Sequence, residues 1–184
     1  MKNGTEQFLK SFASGSAMSS NSNQTLQEQN KQVVARYFEE FWARGNLSIV
    51  DELCADDVLS NYPRHGPRRG KVAVKRMLEE FKDAFPNTTL HQYGPIPMIA
   101  EENYVVIRWI GGGMHSGLPF SESLAGSLDT TNTGNEFHFF GTTIFTLQDG
   151  KIIEEIGEEG SLTALQQLGL VQPADYGSGN GRQT

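Results

Sequence analysis

The sequence has little of the chemistry that marks several large classes of protein. It contains one cysteine, Cys54, so no disulfide can form within the chain and nothing points to an oxidising compartment. Its net charge of −7 argues against nucleic acid or an anionic membrane as the main partner, because both reward dense Lys and Arg. No apolar run approaches the ~18 residues that a membrane span needs, and no secretory signal pattern is present. We therefore expect a cytoplasmic protein.

Several catalytic and metal-binding motifs are also absent. The four histidines are scattered and form neither His-x-His nor His-Glu-x-x-His, so the sequence predicts no metal site. There is no Gly-x-Ser-x-Gly nucleophile elbow. The run Gly111-Gly112-Gly113 lacks the following helix that a phosphate-binding loop requires. We interpret these glycines as a bulge that bends a sheet.

The length and composition that remain suit one domain. The chain has 184 residues, 37% of them hydrophobic, which is enough for a sizeable core. Residues 1–24 are rich in Ser, Asn, Gly and Gln and predict a disordered N-terminal arm. Residues 172–184 are polar and predict a flexible C-terminal tail. The domain is therefore expected to span residues 25–171.

The first half of this domain has helical patterns. Thr25-x-x-Glu28 is a capping box, and it is followed by apolar residues at helical spacing up to Trp42. A short helix is predicted over residues 47–54 and a longer one over 71–85, ending before Pro86. The basic run 67–71 between them is interpreted as a solvated turn.

The second half has strand patterns. Strands are predicted over residues 89–93, 104–110, 137–147 and 151–156, and Asp149-Gly150 between the last two is a type I′ hairpin signal. Helices followed by a meander of strands indicate an α+β fold rather than a parallel βαβ fold. Because several strands are apolar on both sides, we expect both faces of the sheet to be covered, one by the helices and one by curling around a pocket.

The motifs in this order resemble those of the SnoaL-like polyketide cyclases, members of the nuclear transport factor two-like superfamily. The resemblance covers roughly residues 28–170. It is carried by Y-P-R-H-G-P-R-R-G (62–70), F-K-D-A-F-P-N (81–87), G-M-H-S-G (113–117), Thr133-Gly134, D-G-K-I-I-E-E (149–155) and L-Q-Q-L-G (165–169).

The resemblance implies a curved mixed or antiparallel sheet wrapped by N-terminal helices into an open cone, often a homodimer through the outer sheet face. It also implies cofactor-free chemistry in secondary metabolism, in which an Asp acts as general acid and base in an intramolecular aldol cyclisation. Aligned on the hairpin, the place of that Asp is held by Gly157 and that of a preceding Trp by Ile156. A later Asp aligns with Gly160, and a polar residue of the preceding strand with Thr143. The main catalytic acid of the family is therefore absent at its usual position.

The acid-rich segment 152–159 offers replacements. Side chains alternate along a strand, so Glu155 shares a face with Gly157, and Glu154 and Ile152 would take the outer face. A carboxylate inside an apolar pocket has a raised pKa, which suits general acid and base catalysis. We predict Glu155 as the relocated acid, with Glu158 second. The alternative is that these glutamates only guard a solvated strand end.

Other residues are predicted to complete the site. His115 is an auxiliary donor or proton shuttle, with a purely structural histidine as the alternative. Aromatic and polar residues suited to a flat, oxygen-rich substrate are Tyr37, Phe41, Asn61, His65, Phe85, Trp109, Phe120 and Thr143.

The sequence thus predicts a cofactor-free enzyme that cyclises, isomerises or dehydrates an enolisable carbonyl substrate. Its partners would be a small hydrophobic carbonyl-containing ligand and a second copy of the chain. The alternative is a non-catalytic protein that binds a hydrophobic ligand or acts as a dimeric interaction module, having lost the catalytic Asp at Gly157.

Overall fold

The computed structural model describes residues 26–95, 98–121 and 126–172. The predicted N-terminal arm and Thr25 of the capping box lie outside the described residues, as does the tail from residue 173 onward. None of the helices in the described ranges is long and apolar enough to cross a membrane.

A layer of helices forms first. Helix α1 occupies residues 26–37 and continues directly as a π-helical segment, Phe38–Ala43. Helix α2 is Ile49–Leu53 and α3 is Lys71–Ala84. The predicted apolar stripe is confirmed: Val33 is half-buried, and the other members are buried, namely Val34, Tyr37, Phe38, Phe41 and Trp42.

Within the described ranges, seven strands form one mixed sheet. They are β1 (Cys54–Tyr62), β2 (Gly66–Arg69), β3 (Thr89–Gln92), β4 (Ile99–Glu101), β5 (Tyr104–Met114), β6 (Glu136–Gln148) and β7 (Lys151–Glu159), followed by helix α4 (Ser161–Gln167). The order is β2-β1-β7-β6-β5-β3, with β4 also on β5. Only β1 and β7 pair in parallel; the other pairs are antiparallel. The predicted α+β fold with a curved, open sheet wrapped by helices is confirmed.

The two faces of the sheet differ. Along β6 buried and exposed residues alternate, with Phe139 and Phe145 on the buried inner face and Phe140 and Ile144 on the outer face. The inner face packs with the helices into one hydrophobic core. Phe140 and Ile144 are 41% and 45% exposed. The expectation that both faces of the sheet are covered is therefore wrong at β6, where the described residues leave the outer face exposed.

The predicted hairpin between β6 and β7 is confirmed. Asp149 and Gly150 both have positive φ, 51° and 74°, as a type I′ turn requires, and Gln148 pairs with Lys151. This hairpin sets the register of the two central strands.

Three local predictions were wrong. The basic run is not only a turn, because its first part belongs to β2, which pairs with β1. Gly111–Gly113 pair with β6 without a register shift. The shift lies in β7 instead, between Ile152 and Glu154, so Ile152 is buried rather than outward.

Candidate functional site

Glu155 lies at the centre of the inner sheet face. It is on β7, with Phe145 of β6 and Ser60 of β1 as its register partners, and its side chain is fully buried. Past the shift at Ile152, side chains alternate along β7, which places Glu155 and Gly157 on the same face, as the sequence indicates. A carboxyl group is thus enclosed by the core rather than by solvent.

Three aromatic side chains donate hydrogen bonds to the Glu155 carboxyl. Nε1 of Trp42 and the hydroxyl of Tyr62 both donate to Oε1, each at 2.6 Å. The hydroxyl of Tyr37 donates to Oε2 at 3.1 Å. The donors come from α1, the π-helical segment and β1, so the carboxyl joins the helix layer to the sheet.

Burial and hydrogen bonding act in opposite directions on this group. Burial raises the pKa of Glu155 to about 7, because the charged form loses its hydration, while the donors Tyr62, Trp42 and Tyr37 favour the charged form and limit the rise. Burial, reinforced by the nearby Glu155 charge, also raises the pKa of Tyr62 and of Tyr37 well above the usual value. Near neutral pH the carboxyl can therefore both take up and release a proton, whereas the phenols remain protonated.

A second row of hydrogen bonds extends from Tyr62. Nε1 of Trp109 donates to Oγ1 of Thr143 at 2.9 Å, and this oxygen lies 3.1 Å from the Tyr62 hydroxyl. Since Tyr62 donates to Glu155, the Thr143 hydroxyl donates to Tyr62. The result is a directional chain from Trp109 through Thr143 and Tyr62 to Glu155, in which each bond polarises the next.

Tyr62 fills the space that a side chain at position 157 would need. A Cβ built on Gly157 would overlap the ring of Tyr62. Tyr62 was not among the predicted site residues, and Trp42 was assigned only to a buried stripe. The sequence did indicate such a residue, because a glycine on the inner face of a central strand leaves a volume that a large neighbouring side chain must fill.

A crevice opens above these rings. It is lined by Phe38, Trp42, Tyr62, Leu90, Trp109 and Glu159. Its cavity volume is about 10 Å³, far below the ~300–1,000 Å³ of typical ligand pockets. Its interior has room for about one water molecule. Trp42 and Tyr62 thus face the crevice and bind Glu155 beneath it.

Glu159, which lines one side of the crevice, forms an ion pair with the buried Arg64. The Arg64 and Glu159 side chains are 6% and 1% exposed, and Nη2 of Arg64 donates to Oε2 of Glu159 at 3.4 Å. The Arg64 guanidinium lies 4.8 Å from the ring centroids of both Phe81 and Phe139. Oε1 of Glu159 accepts from the Ser161 hydroxyl at 3.1 Å.

The structure brings some of the predicted site residues together and places others elsewhere. Tyr37, Trp109 and Thr143 join the Glu155 hydrogen-bond network, and Phe41 stacks on Tyr37 with ring centroids 5.0 Å apart.

His115 belongs to a second cluster. It is fully buried and its ring centroid is 5.3 Å from that of Phe85. Its Nε2 lies 2.7 Å from the Leu118 carbonyl oxygen, which can only accept, so Nε2 carries the proton and Nδ1 accepts from the Thr133 hydroxyl at 2.9 Å. Phe85 in turn contacts Phe120, and both predicted residues lie here rather than at the Glu155 network. His115 therefore ties β5 to the segment that follows it.

The remaining predicted residues lie apart from both hydrogen-bond rows. His65 is buried with its ring edge against Phe81 and Phe120. Glu158 is exposed and pairs with Thr142 of the outer face, and Asn61 is half-buried opposite Ile156. Among the described residues, no three His, Cys, Asp or Glu side chains are grouped so that they could hold a metal ion.

Known proteins share the fold of this chain. The model of the SnoaL-like polyketide cyclase family matches residues 32–168. Among solved structures, a candidate SnoaL-like polyketide cyclase from Jannaschia sp. CCS1 is similar, with a TM-score of 0.66 and 21% identity over 81% of this chain and 96% of that chain. IdmH, a candidate polyketide cyclase from Streptomyces antibioticus, has a TM-score of 0.61 and 22% identity over 77% and 99%.

AclR, a candidate hydroxylase from Streptomyces galilaeus, has a TM-score of 0.62 and 17% identity over 80% of this chain and 85% of that chain. At these identities the structures show a shared fold. A search of the curated proteins finds no match.

Proposed function

Because the chain belongs to the SnoaL-like polyketide cyclase family, we propose that it catalyses the cyclisation, isomerisation or dehydration of a small enolisable carbonyl compound by acid and base chemistry. The observation that carries this proposal is the buried Glu155 carboxyl, whose pKa of about 7 lies where a general acid and base works best. The substrate would bind at the crevice beside Tyr62 and Trp42, and the side chains around the crevice would move apart to admit it. Such a reaction would belong to cytoplasmic secondary metabolism.

Tyr62 connects the carboxyl to the crevice. Its hydroxyl donates to Glu155 at 2.6 Å, and its side chain lines the crevice. In the proposed first step the Tyr62 oxygen takes a proton from the substrate carbon next to a carbonyl, while the Tyr62 proton passes to Oε1 of Glu155. The carbon–hydrogen electron pair becomes the enolate, and no phenolate forms at any point. The basicity of the Tyr62–Glu155 pair is therefore set by the pKa of the carboxyl and not by the pKa of a phenol.

The second step returns the proton. The enolate carbon attacks a second carbonyl of the substrate in a cyclisation, and the new alkoxide takes the proton of Tyr62 as Glu155 gives its own back. In an isomerisation the same proton goes to another carbon, and in a dehydration it goes to the departing hydroxyl. The site ends each cycle in its starting state, so the proposed route calls for no cofactor.

Trp42, Trp109 and Thr143 would hold the relay in place. Trp42 fixes Oε1 of Glu155 toward Tyr62, and the Thr143 hydroxyl, oriented by Trp109, donates to the Tyr62 oxygen. Donors fixed before the reaction stabilise charge that develops during it without reorganisation. These residues would therefore be positioning residues rather than catalytic ones.

The test is proton exchange on enolisable ketones. Deuterium incorporation next to the carbonyl of β-diketones and aryl ketones is followed by NMR with wild type, Glu155→Gln and Tyr62→Phe. We expect each variant to lose about 100-fold or more of the enzymatic rate, since a positioned base typically contributes 10²–10⁴-fold.

Glu154→Gln is the matched control, because Glu154 precedes Glu155 on the same strand and its carboxylate accepts from Thr146 instead. It should keep the wild-type rate. Exchange that survives both Glu155→Gln and Tyr62→Phe would contradict the relay.

A second candidate is a non-catalytic role in ligand binding or dimeric interaction. The interior filled by its own aromatic side chains and the glycine at position 157 favour it. Under this alternative, naphthalene-type ketones would bind without any exchange above the rate in buffer, and Glu155→Gln would change neither result.

A further inference from the structure

Arg64 is a buried cation with few partners. Its side chain is 94% buried, and Nε has no hydrogen-bond partner among the described residues. The guanidinium can donate five N–H groups in a flat fork. Its contact with Glu159, at 3.4 Å, is long for a charged pair, where about 2.7–2.9 Å is usual. A buried N–H donor without an acceptor lowers the stability of the fold. Such a donor is therefore expected where a bound ligand supplies the acceptor.

The surroundings of Arg64 suit a flat anion. Phe81 and Phe139 both lie 4.8 Å from the guanidinium carbon. Rings on the guanidinium fix its plane, and a planar fork with a free Nε matches the two oxygens of a carboxylate. A spherical or strongly hydrated ion would use this geometry less well.

Arg64 is connected to the crevice through Glu159. Its partner Glu159 lines the crevice together with Tyr62. Positions 155, 157 and 159 of β7 share the inner face, and successive positions on one face lie about 7 Å apart. Tyr62 occupies the space above Gly157. Glu159, the partner of Arg64, is therefore at the next inner-face position along β7 from the one that Tyr62 covers.

We propose that Arg64 binds a carboxylate of the substrate, so that the substrate class is flat, enolisable carbonyl acids. This inference rests on the proposed small-molecule function of the crevice. Arg64 acts as a specificity-determining residue and takes no part in proton transfer.

Glu159 takes the place of that carboxylate while the crevice is empty. Its Oε2 accepts from Arg64 and its Oε1 accepts from the Ser161 hydroxyl. An incoming carboxylate displaces Oε2 from Arg64, and Glu159 keeps the Ser161 hydrogen bond. Glu159 therefore competes with the substrate, and removal of its charge strengthens binding of acids.

The test uses two probes of one shape, 2-naphthoate and neutral 2-naphthamide, titrated into the full chain by calorimetry. We expect the wild type to bind 2-naphthoate about 10-fold or more tightly than 2-naphthamide, the ratio that one hydrogen-bonded charge typically gives. Arg64→Met, which keeps an unbranched apolar stem between the two rings, should bring the ratio close to one by weakening 2-naphthoate alone. Glu159→Gln should tighten 2-naphthoate about threefold or more and leave 2-naphthamide unchanged.

Weaker binding in Arg64→Met could also result from a damaged fold. Tighter binding of 2-naphthoate in Glu159→Gln could not, so this variant distinguishes the two explanations. The proposal is overturned if wild type shows no preference for 2-naphthoate, if the preference survives in Arg64→Met, or if Glu159→Gln weakens it. Binding is measured without turnover. The two proposals can fail separately. If wild type prefers 2-naphthoate but Glu155→Gln keeps the wild-type rate of deuterium exchange, the relay is overturned and the Arg64 site is supported.

Discussion

Glu155 is a carboxyl for which two large effects nearly balance. Complete burial favours the neutral acid, and three donors favour the carboxylate. Burial outweighs the donors, since the pKa lies above the usual 4.5. A group in this balance changes its protonation state with small changes in its surroundings, which is what acid and base catalysis at neutral pH requires.

The first prediction follows from the pKa of Glu155. The folded chain holds this proton more tightly than the unfolded chain, so the stabilisation is complete below pH 4.5 and is lost as the pH rises through about 7. The loss from this group should be about 3 kcal/mol, from 1.36 kcal/mol per pKa unit. Urea unfolding of wild type at pH 4.5 and pH 8 measures it.

Glu155→Gln provides the reference, because an amide of the same shape cannot titrate. The free energy of unfolding of the variant should fall by about 3 kcal/mol less than that of wild type across this pH range. Parallel pH profiles for the two proteins would show that the carboxyl does not titrate there.

The second prediction concerns Tyr62 and Gly157. Gly157→Ala places a methyl group in the Tyr62 ring, and overpacking of this kind costs about 1–3 kcal/mol. In a Tyr62→Ala background the same change should cost at least about 1 kcal/mol less, because the ring is gone. A double-mutant cycle by chemical denaturation gives the coupling, and a value near zero would mean that the two sites do not share this volume.

Sequence reasoning reaches only part of this site, for a physical reason. Alternation along one strand is local, and it placed Glu155 inward correctly. The contacts of Glu155 with Trp42 and Tyr62 join residues 113 and 93 positions apart in the chain. Such pairs depend on how the helix layer settles on the sheet, and no local pattern encodes that.

At the scale of elements, β5 depends on the absence of side chains where it meets β6. A Cβ on Gly112 would lie 2.7 Å from the carbonyl oxygen of Phe137, which is backbone and cannot turn away. This explains why Gly112 occurs in a regular strand rather than at a bulge.

The third prediction is that Gly112→Ala lowers the free energy of unfolding by about 2 kcal/mol through this overlap. Gly160→Ala is the control, because its nearest contact would be an ordinary 3.5 Å and its φ is −71°. That change should cost no more than about 0.5 kcal/mol. Thermal unfolding of both variants compares them, and equal costs would contradict the overlap.

Elements defined by local chemistry were predictable from the sequence, and those defined by pairing were not. The hairpin at Asp149-Gly150 was predicted because Asp and Gly are the residue types that most readily adopt the left-handed backbone of a type I′ turn. Strand β2 was missed because Gly66–Arg69 has no alternating apolar pattern and becomes a strand only by pairing with β1.

At the scale of the whole molecule, the outer sheet face exposes large apolar side chains to solvent. Phe140 and Ile144 are about half exposed, and Phe140 packs against Tyr93 with ring centroids 4.9 Å apart. Ile144 has Val106 and Ile156 as register partners on either side. A continuous apolar face of this kind favours association with a second copy.

The fourth prediction is therefore a homodimer through this face. Sedimentation analysis should give a dimer for wild type and a monomer for the double variant Phe140→Ser, Ile144→Ser. Val72→Ser is the control, because Val72 is 82% exposed on α3 rather than on the sheet, and it should leave the dimer intact. A monomeric wild type at micromolar concentration would contradict the prediction.

The position of the two tryptophans has a practical consequence. The chain contains two, Trp42 and Trp109, and both lie in the hydrogen-bond network and in the wall of the crevice. All of its intrinsic indole fluorescence therefore originates in the hydrogen-bond network that contains Glu155. Emission should shift with a midpoint near pH 7 in wild type and not in Glu155→Gln, and it should respond to any molecule that enters the crevice. The protein thus contains its own optical sensor, and compound collections can be screened against it without an attached dye or a known reaction.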